Sequence, residues 1–224
     1  MITQLDLGLV NAYLLEENGV FMLVDTGGYL FGDGKNLNNR RDILESKLKE
    51  AGVTKENLKL LFLTHGDCDH CMNAAYIAKK YEVPIAMNQA DLNLVNHPKL
   101  EFVMKTVNYR SFVMKLVTKL IYSKIEKLME KTIQDFESFT PDVFVKDGDR
   151  LDPYGFSATV ITLPGHTPGS VGIVTDENEA IVGDAGPGAM NAFDFADYDK
   201  SLEKIVRGKY KTIYMGHKPP VHHN

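Results

Sequence analysis

Four side chains that can bind metal ions lie within six residues of one another, directly after the apolar run 58–63. They are His65, Asp67, Asp69 and His70. Two imidazoles and two carboxylates are costly to bury so close together without a cation, because buried charged groups are normally paired or coordinated. A solvated polar turn is the alternative for this segment taken alone. The density of ligands favours a metal-binding loop.

Three further candidate ligands occur downstream, namely His166, Asp184 and His217. Each follows an apolar run and lies in a glycine-containing turn. Taken singly, each is more typical of a polar loop residue. Strand ends bring distant loops together at one edge of a sheet, however, so the joint pattern predicts that the three side chains meet the loop of residues 65–70.

The elements that must position these side chains fall into two halves of mixed strand and helix. Strands are predicted within 2–24 and at 58–63, 84–87, 143–146, 156–163, 170–175, 180–182 and 212–215, and helices at 37–51, 71–81, 89–95 and 198–207. Two halves of this kind suggest two sheets packed face to face with helices outside.

The spacing of the candidate ligands resembles that of a known family. The segments Thr64-His65-x-Asp67-x-Asp69-His70, Pro164-Gly165-His166-Thr167-Pro168-Gly169, Gly183-Asp184 and Gly216-His217 are similar to the motifs of the metallo-β-lactamase superfamily. The resemblance spans most of the chain. It implies an α/β fold, a four-layer αββα sandwich, formed here by a single domain over residues 1–224 and enclosing a dinuclear metal site.

The resemblance also implies a role for each ligand. One metal ion is expected on His65, Asp67 and His166, the other on Asp69, His70 and His217, with Asp184 bridging the two and Asp25 and Thr64 orienting the loop.

Asp67 departs from the family pattern, since most members have histidine at this position. A carboxylate in place of an imidazole adds negative charge and a harder oxygen donor, which shifts the preference from zinc towards iron or manganese. We therefore expect two divalent metal ions as cofactors, zinc first, with iron or manganese as alternatives.

Such a site is expected to lower the pKa of a bridging water and supply a hydroxide nucleophile. Asp69 and Asp184 are the expected catalytic residues, Asp69 also as an acceptor of the water proton. The leading hypothesis is a metal-dependent hydrolase of a small ester, thioester, lactone or phosphodiester. The alternative is a diiron oxidoreductase or dioxygenase of the same fold, and a third possibility is a non-catalytic binding module.

Between the two halves lies an insertion, 98–141, with apolar residues at steps of three and four. This pattern predicts that much of the insertion forms one long amphipathic helix, although Lys124 interrupts the stripe. From 99 to 131 eight basic residues face three acidic ones, a net +5 that leaves −10 for the remainder of a chain with net charge −5. The alternatives are an apolar face packed on the body or on a second copy in a homodimer, a lid that supplies cations to an anionic substrate, and a membrane-surface helix. Tyr109 and Tyr122 are candidate hydroxyl donors to a developing oxyanion.

The expected partner is a small-molecule substrate, and nucleic acid is a less favoured one. A net charge of −5 over 224 residues argues against a surface made for nucleic acid. No apolar run is long enough to form a transmembrane segment and no secretory signal is visible, so a cytoplasmic location is expected. Cys68 and Cys71 are interpreted as packing residues, and His97, His222 and His223 as surface residues.

Overall fold

A six-stranded mixed sheet forms the first half of the fold. The computed structural model describes residues 1–30, 37–106 and 108–223. The strands follow chain order across the sheet as β1 (Ile2–Asp6), β2 (Asn11–Glu17), β3 (Val20–Val24), β4 (Leu58–Phe62), β5 (Ile85–Met87) and β6 (Val143–Phe144). The first three strands are antiparallel, and β3 to β6 run parallel.

A tight turn at Asn18 and Gly19 joins β2 to β3. Both residues have positive φ, 50° and 78°, and this is the geometry that matches the twist of a two-residue hairpin.

A five-stranded sheet forms the second half, in the order β11-β10-β9-β8-β7. Its strands are β7 (Ala158–Thr162), β8 (Val171–Thr175), β9 (Glu179–Ile181), β10 (Thr212–Tyr214) and β11 (Val221–His222). Strands β9 and β10 are parallel and the other pairs antiparallel.

The helices flank the two sheets or belong to the insertion. They are α1 (Arg41–Glu50), α2 (Cys68–Cys71), α3 (Ala74–Tyr81), α4 (Leu92–Val95), α5 (Leu100–Val103), α6 (Phe112–Leu120), α7 (Tyr122–Asp135) and α8 (Phe195–Gly208). Among the described residues, no helix has both the length and the apolar character needed to cross a membrane.

Three apolar cores define the four layers. The central core lies between the sheets and is fully buried at Phe62 of β4 and Ile173 of β8. A second core packs the outer face of the first sheet against α1 and α3, through residues such as Leu44 and Ile77. The third packs Ile205 of α8 on the outer face of the second sheet. This is the predicted αββα sandwich.

The insertion differs from the single long helix that its periodicity predicts. Its main helices, α6 and α7, are separate, and the backbone at Ile121 leaves the helical region with φ −106° and ψ 12°. The two helices also use different faces. In α7 the buried side chains include Ile125 and Met129, whereas no residue of α6 is buried. The continuous stripe in the sequence therefore joins one inward-facing surface to one outward-facing surface.

Candidate metal centre

All seven predicted ligands lie at the same end of the sandwich, in segments that follow strands. The segment after β4 carries four of them, two in its loop and two, Asp69 and His70, in the short helix α2, and the segments after β7, β9 and β10 carry His166, Asp184 and His217. The parallel strands β9 and β10 end side by side, which brings Asp184 and His217 to neighbouring positions. The predicted convergence of distant loops at one sheet edge is thus present.

The first group of ligand atoms belongs to His65, Asp67 and His166, and these atoms lie within 4.8 Å of one another. Nε2 of His166 is 3.1 Å from Oδ2 of Asp67. Three donors at this spacing surround a point that a small cation fits.

The second group belongs to Asp69, His70 and His217, also within 4.8 Å. Nε2 of His217 is 3.2 Å from Oδ2 of Asp69 and 3.3 Å from Nε2 of His70.

Asp184 lies between the two groups. Its Oδ2 atom is 3.2 Å from Nε2 of His217 and 3.6 Å from Nε2 of His166, and its Oδ1 atom is 3.4 Å from Nε2 of His70. A single carboxylate therefore reaches histidines of both groups.

Asp25 and Thr64 hold the rings of the two inner histidines. Oδ2 of Asp25 accepts from Nδ1 of His70 at 2.9 Å and from the Thr64 hydroxyl at 2.7 Å. Because that hydroxyl donates to Asp25, its oxygen is left to accept from Nδ1 of His65 at 2.9 Å. Both rings are thereby assigned the tautomer whose Nε2 lone pair points into the centre.

Backbone carbonyls hold the two outer histidines in the same way. Nδ1 of His166 donates to the carbonyl of Asn191 at 3.1 Å, and Nδ1 of His217 donates to the carbonyl of Leu9 at 2.6 Å. All four imidazoles therefore turn Nε2 inward, which is the orientation that metal-binding histidines need.

Buried atoms that make no hydrogen bond test whether a cation fits the centre. Within the described part of the chain, Nε2 of His65 and Oδ1 of Asp184 are buried and make no hydrogen bond. Buried polar atoms of this kind are rare and costly unless something else satisfies them. A lone pair on each atom, both facing the same centre, fits coordination to a metal ion.

The charges of the centre also match a cation. Burial lowers the pKa of His166 and of His217, but hydrogen bonds to Asp67 and Asp184 respectively outweigh it and raise these values to about 9 and about 10. Burial together with the neighbouring histidines keeps the pKa of His65 well below its usual value. Burial also lowers the pKa of His70, but Asp184, Asp69 and Asp25 outweigh burial and raise it well above its usual value. The carboxylates thus attract positive charge strongly enough to retain protons on three imidazoles, and divalent cations can replace those protons.

Asp91 joins the two ligand loops and was missed by the sequence analysis. It is fully buried, and it accepts hydrogen bonds from the backbone of Gly66 at 2.8 Å, the backbone of Gly169 at 2.7 Å and the hydroxyl of Thr167 at 2.6 Å. Gly66 follows the candidate ligand His65, and Thr167 follows the candidate ligand His166. Because Asp91 bonds to both, it sets the distance between the loops that carry these two ligands. Burial raises its pKa to about 6. No sequence motif indicates Asp91, because its hydrogen-bond partners are remote along the chain.

A cavity of about 670 Å³ opens over the ligands. The insertion forms one wall of it with apolar side chains that include Val103, Met114, Leu128 and Met129. The eight basic side chains counted in the insertion are all exposed, and none of them lines the cavity. Among the described lining residues, Lys218 is the one lysine or arginine. The insertion therefore forms an apolar wall of the cavity, and the alternative of a lid that supplies cations has no basic side chain among the described lining residues of the insertion.

Only one of the two candidate tyrosines, Tyr109, lies at the cavity. Tyr109 is half-buried and lines the cavity, and burial raises its pKa, so its hydroxyl keeps its proton. Tyr122 is exposed and does not line the cavity.

The remaining cysteines and histidines lie where packing or surface roles were predicted. Cys68 and Cys71 are free thiols, and Cys71 is buried beneath the ligand loop, where its thiol donates to the carbonyl of Gly66 at 3.4 Å. Residues His97, His222 and His223 are exposed.

The four-layer sandwich and the paired ligand groups at its edge define a class of α/β proteins with a candidate two-metal centre. The family model of the metallo-β-lactamase superfamily matches residues 5–217. The chain therefore belongs to this superfamily, as its motifs predict.

Sequence identity to an individual curated relative is low. The hydroxyacylglutathione hydrolase GloC of Haemophilus influenzae is 28% identical over 155 residues, which are 66% of this chain and 61% of the relative. The chain thus spans less than two thirds of the length of this curated relative.

Solved structures share the fold. The B3 metallo-β-lactamase BLEG-1 has a TM-score of 0.71 at 19% identity, with 99% of this chain and 94% of that chain covered. The protein TTHA1623, solved in a di-iron-bound form, has a TM-score of 0.61 at 21% identity, with 95% of this chain and 89% of that chain covered.

Proposed function

We propose that the protein is a metal-dependent hydrolase with a dinuclear centre. The observation that carries this proposal is the inward orientation of four Nε2 atoms around three carboxylates, with Asp184 reaching both groups. The first metal ion would be held by His65, Asp67 and His166, the second by Asp69, His70 and His217, and both by Asp184. The superfamily match and a relative that is itself named a hydrolase support the reaction class.

The chemistry that two bound cations supply is a water of lowered pKa and polarisation of the bond under attack. Asp69 is suited to accept the proton of the attacking water. Burial raises its pKa, but the nearby His70 and His217 outweigh burial and lower it, so the carboxylate is ionised at neutral pH. Tyr109 lines the cavity with its proton in place and would donate a hydrogen bond to the substrate.

The cavity favours an acyl substrate with an apolar portion. Its wall from the insertion is apolar, and its volume of about 670 Å³ is in the range of small-molecule sites. Lys218, the residue directly after His217, lines the cavity and is placed to pair with a negatively charged end of the substrate. We therefore propose a thioester or ester of an apolar acyl group, ahead of the lactone and phosphodiester. The acyl–glutathione bond in the name of the Haemophilus relative supports the thioester.

Zinc is the first choice of metal, and Asp67 supports iron or manganese as the alternative. Its carboxylate lies in the first ligand group, 3.1 Å from His166, and adds a hard oxygen donor there. The same residue supports the second candidate function, a diiron oxidoreductase or dioxygenase, because the fold also occurs in a di-iron-bound form. Oxygen consumption by iron-loaded protein, with no hydrolysis of any substrate, would favour this second function.

A substrate panel tests the proposal. Chelator-treated protein is reloaded with zinc, iron or manganese and assayed on S-acylglutathiones, aryl esters, lactones and phosphodiesters. We expect metal-dependent hydrolysis, strongest with the thioesters or esters, and its loss in His65→Ala and Asp184→Ala while the far-UV circular dichroism spectrum is retained. His223→Ala, which removes an exposed histidine, is the control and should keep full activity. Full turnover in either ligand variant would defeat the assignment.

A further inference from the structure

The outer face of α6 is apolar and exposed. Its side chains form a strip along the helix, and their exposed fractions are Phe112 80%, Val113 65%, Leu116 52%, Val117 40% and Leu120 77%. At 100° per residue these five positions cover about 140° of the helix surface. Met114 and Thr118, on the opposite side, are half-buried, and Met114 lines the cavity. The helix thus turns the side that carries Met114 and Thr118 towards the rest of the protein and presents its apolar strip to the outside.

The sequence segment that contains this strip carries charge of one sign. From 102 to 125 the sequence contains five basic residues and no acidic one, although the whole chain is acidic. Lys115 and Lys119 both lie along one edge of the apolar strip on α6, the edge at Phe112, and neither forms an ion pair with any described residue. Arg110, just before the helix, pairs with Asp199. An exposed apolar strip bordered by lysine side chains that pair with no described residue matches a surface that is apolar inside and anionic outside.

We propose that α6 is a docking element for an anionic lipid surface, on which it lies with its apolar strip inserted at the level of the headgroups. Lys115 and Lys119 would contact the lipid phosphates. A second copy of this chain is a poorer occupant, because two α6 helices packed on each other about a two-fold axis would bring lysines together without an acidic partner on either helix. The proposal does not depend on the hydrolytic function.

The cavity lies on the inner side of the same helix. Met114 belongs to the wall of the cavity, and Met190, which also lines it, is 69% exposed. Docking through α6 therefore places the cavity next to the lipid surface.

Vesicle binding tests the proposal. The metal-loaded full-length protein is sedimented with vesicles of phosphatidylglycerol and phosphatidylcholine in equal amounts, and with vesicles of phosphatidylcholine alone. We expect binding to the anionic vesicles that is at least tenfold tighter than to the neutral ones and that weakens as salt is raised. No binding to anionic vesicles, or equal binding to both, would overturn the proposal.

Two matched pairs of variants locate the contact. Phe112→Ser combined with Leu120→Ser should weaken binding at least tenfold, whereas Val206→Ser, at a position 69% exposed on α8, should not. Lys115→Gln combined with Lys119→Gln should weaken it roughly 25-fold, at about fivefold per charge, whereas the exposed pair Lys49→Gln and Lys79→Gln should not. These side chains are exposed, so the fold should be retained in all four proteins.

Light scattering after gel filtration distinguishes the other occupant. A wild-type dimer that Phe112→Ser with Leu120→Ser converts to a monomer would show that α6 is a subunit interface and would overturn the proposal. A wild-type monomer that binds the anionic vesicles supports it.

Discussion

Replacement of Asp25 by asparagine should weaken both metal sites at once, because Asp25 supports histidines of both groups. It is 2% exposed and accepts hydrogen bonds from Nδ1 of His70 and from the hydroxyl and the backbone of Thr64, at 2.9, 2.7 and 2.8 Å. An amide has one acceptor oxygen. If that oxygen accepts from the Thr64 backbone, the amide NH₂ faces two donors, and His70 is driven to the tautomer with a hydrogen on Nε2.

The size of the effect follows from these bonds. A hydrogen bond to a charged group contributes about 1.5–3 kcal/mol, and loss of a group that orients a metal-binding histidine costs about 10- to 100-fold in metal affinity. The two estimates agree, because 10- to 100-fold corresponds to about 1.4–2.7 kcal/mol. We expect Asp25→Asn to raise both metal dissociation constants by about this factor.

Thr64 variants separate the two sites. Thr64→Val removes the hydroxyl that accepts from His65, so it should weaken mainly the site formed by His65, Asp67 and His166. Thr64→Ser keeps the hydroxyl and is the matched control. The assay is competition for zinc with a chromogenic chelator, fitted to two sites, and circular dichroism reports whether the fold is intact. Wild-type affinity at both sites in a folded Asp25→Asn protein would show that Asp25 does not support the two metal sites.

Two further predictions concern Asp91 and the cavity wall. Because burial raises the pKa of folded Asp91 to about 6, against about 3.9 in an unfolded chain, its stabilising contribution is fully present below about pH 4 and is lost as the pH rises through 6. In urea titrations of chelator-treated protein, wild type should therefore lose up to about 3 kcal/mol of unfolding free energy relative to Asp91→Asn between pH 4 and pH 7; a difference that does not change with pH would contradict this. Leu128→Trp should fill part of the apolar cavity and lower kcat/KM about tenfold or more for long acyl chains while sparing acetyl substrates. Leu120→Trp, on the exposed face of the insertion, is the control, and equal effects of the two substitutions would show that the cavity does not hold the acyl group.

The sequence was sufficient to predict the sandwich and the convergence of the candidate ligands. The reason is that His166, Asp184 and His217 each follow a short apolar run, and such runs are the strands whose ends share one edge. The oxygen that Asp67 brings to the first group was also visible from residue type alone.

Contacts between remote segments were not predictable. Asp91 lies 76 residues from Thr167, and the carbonyl of Leu9 lies 208 residues from His217, so no local pattern indicates either hydrogen bond. Any residue can supply a backbone carbonyl, so Leu9 carries no signal by type.

The helical insertion shows a different limit. A step of three and four identifies an apolar stripe but not what the stripe faces. Lys124 within the stripe was the one sign of interruption, and the structure has the break between α6 and α7 three residues earlier, at Ile121.

Metal content directly tests whether the chain holds a dinuclear centre. Wild-type protein and Asp184→Ala are saturated with metal, freed of excess by gel filtration and analysed by inductively coupled plasma mass spectrometry alongside a protein assay. We expect two metal ions per wild-type chain, and one or fewer in a folded Asp184→Ala protein, since that carboxylate lies between the two ligand groups. One ion or none in wild type, or two ions retained in Asp184→Ala, would contradict this.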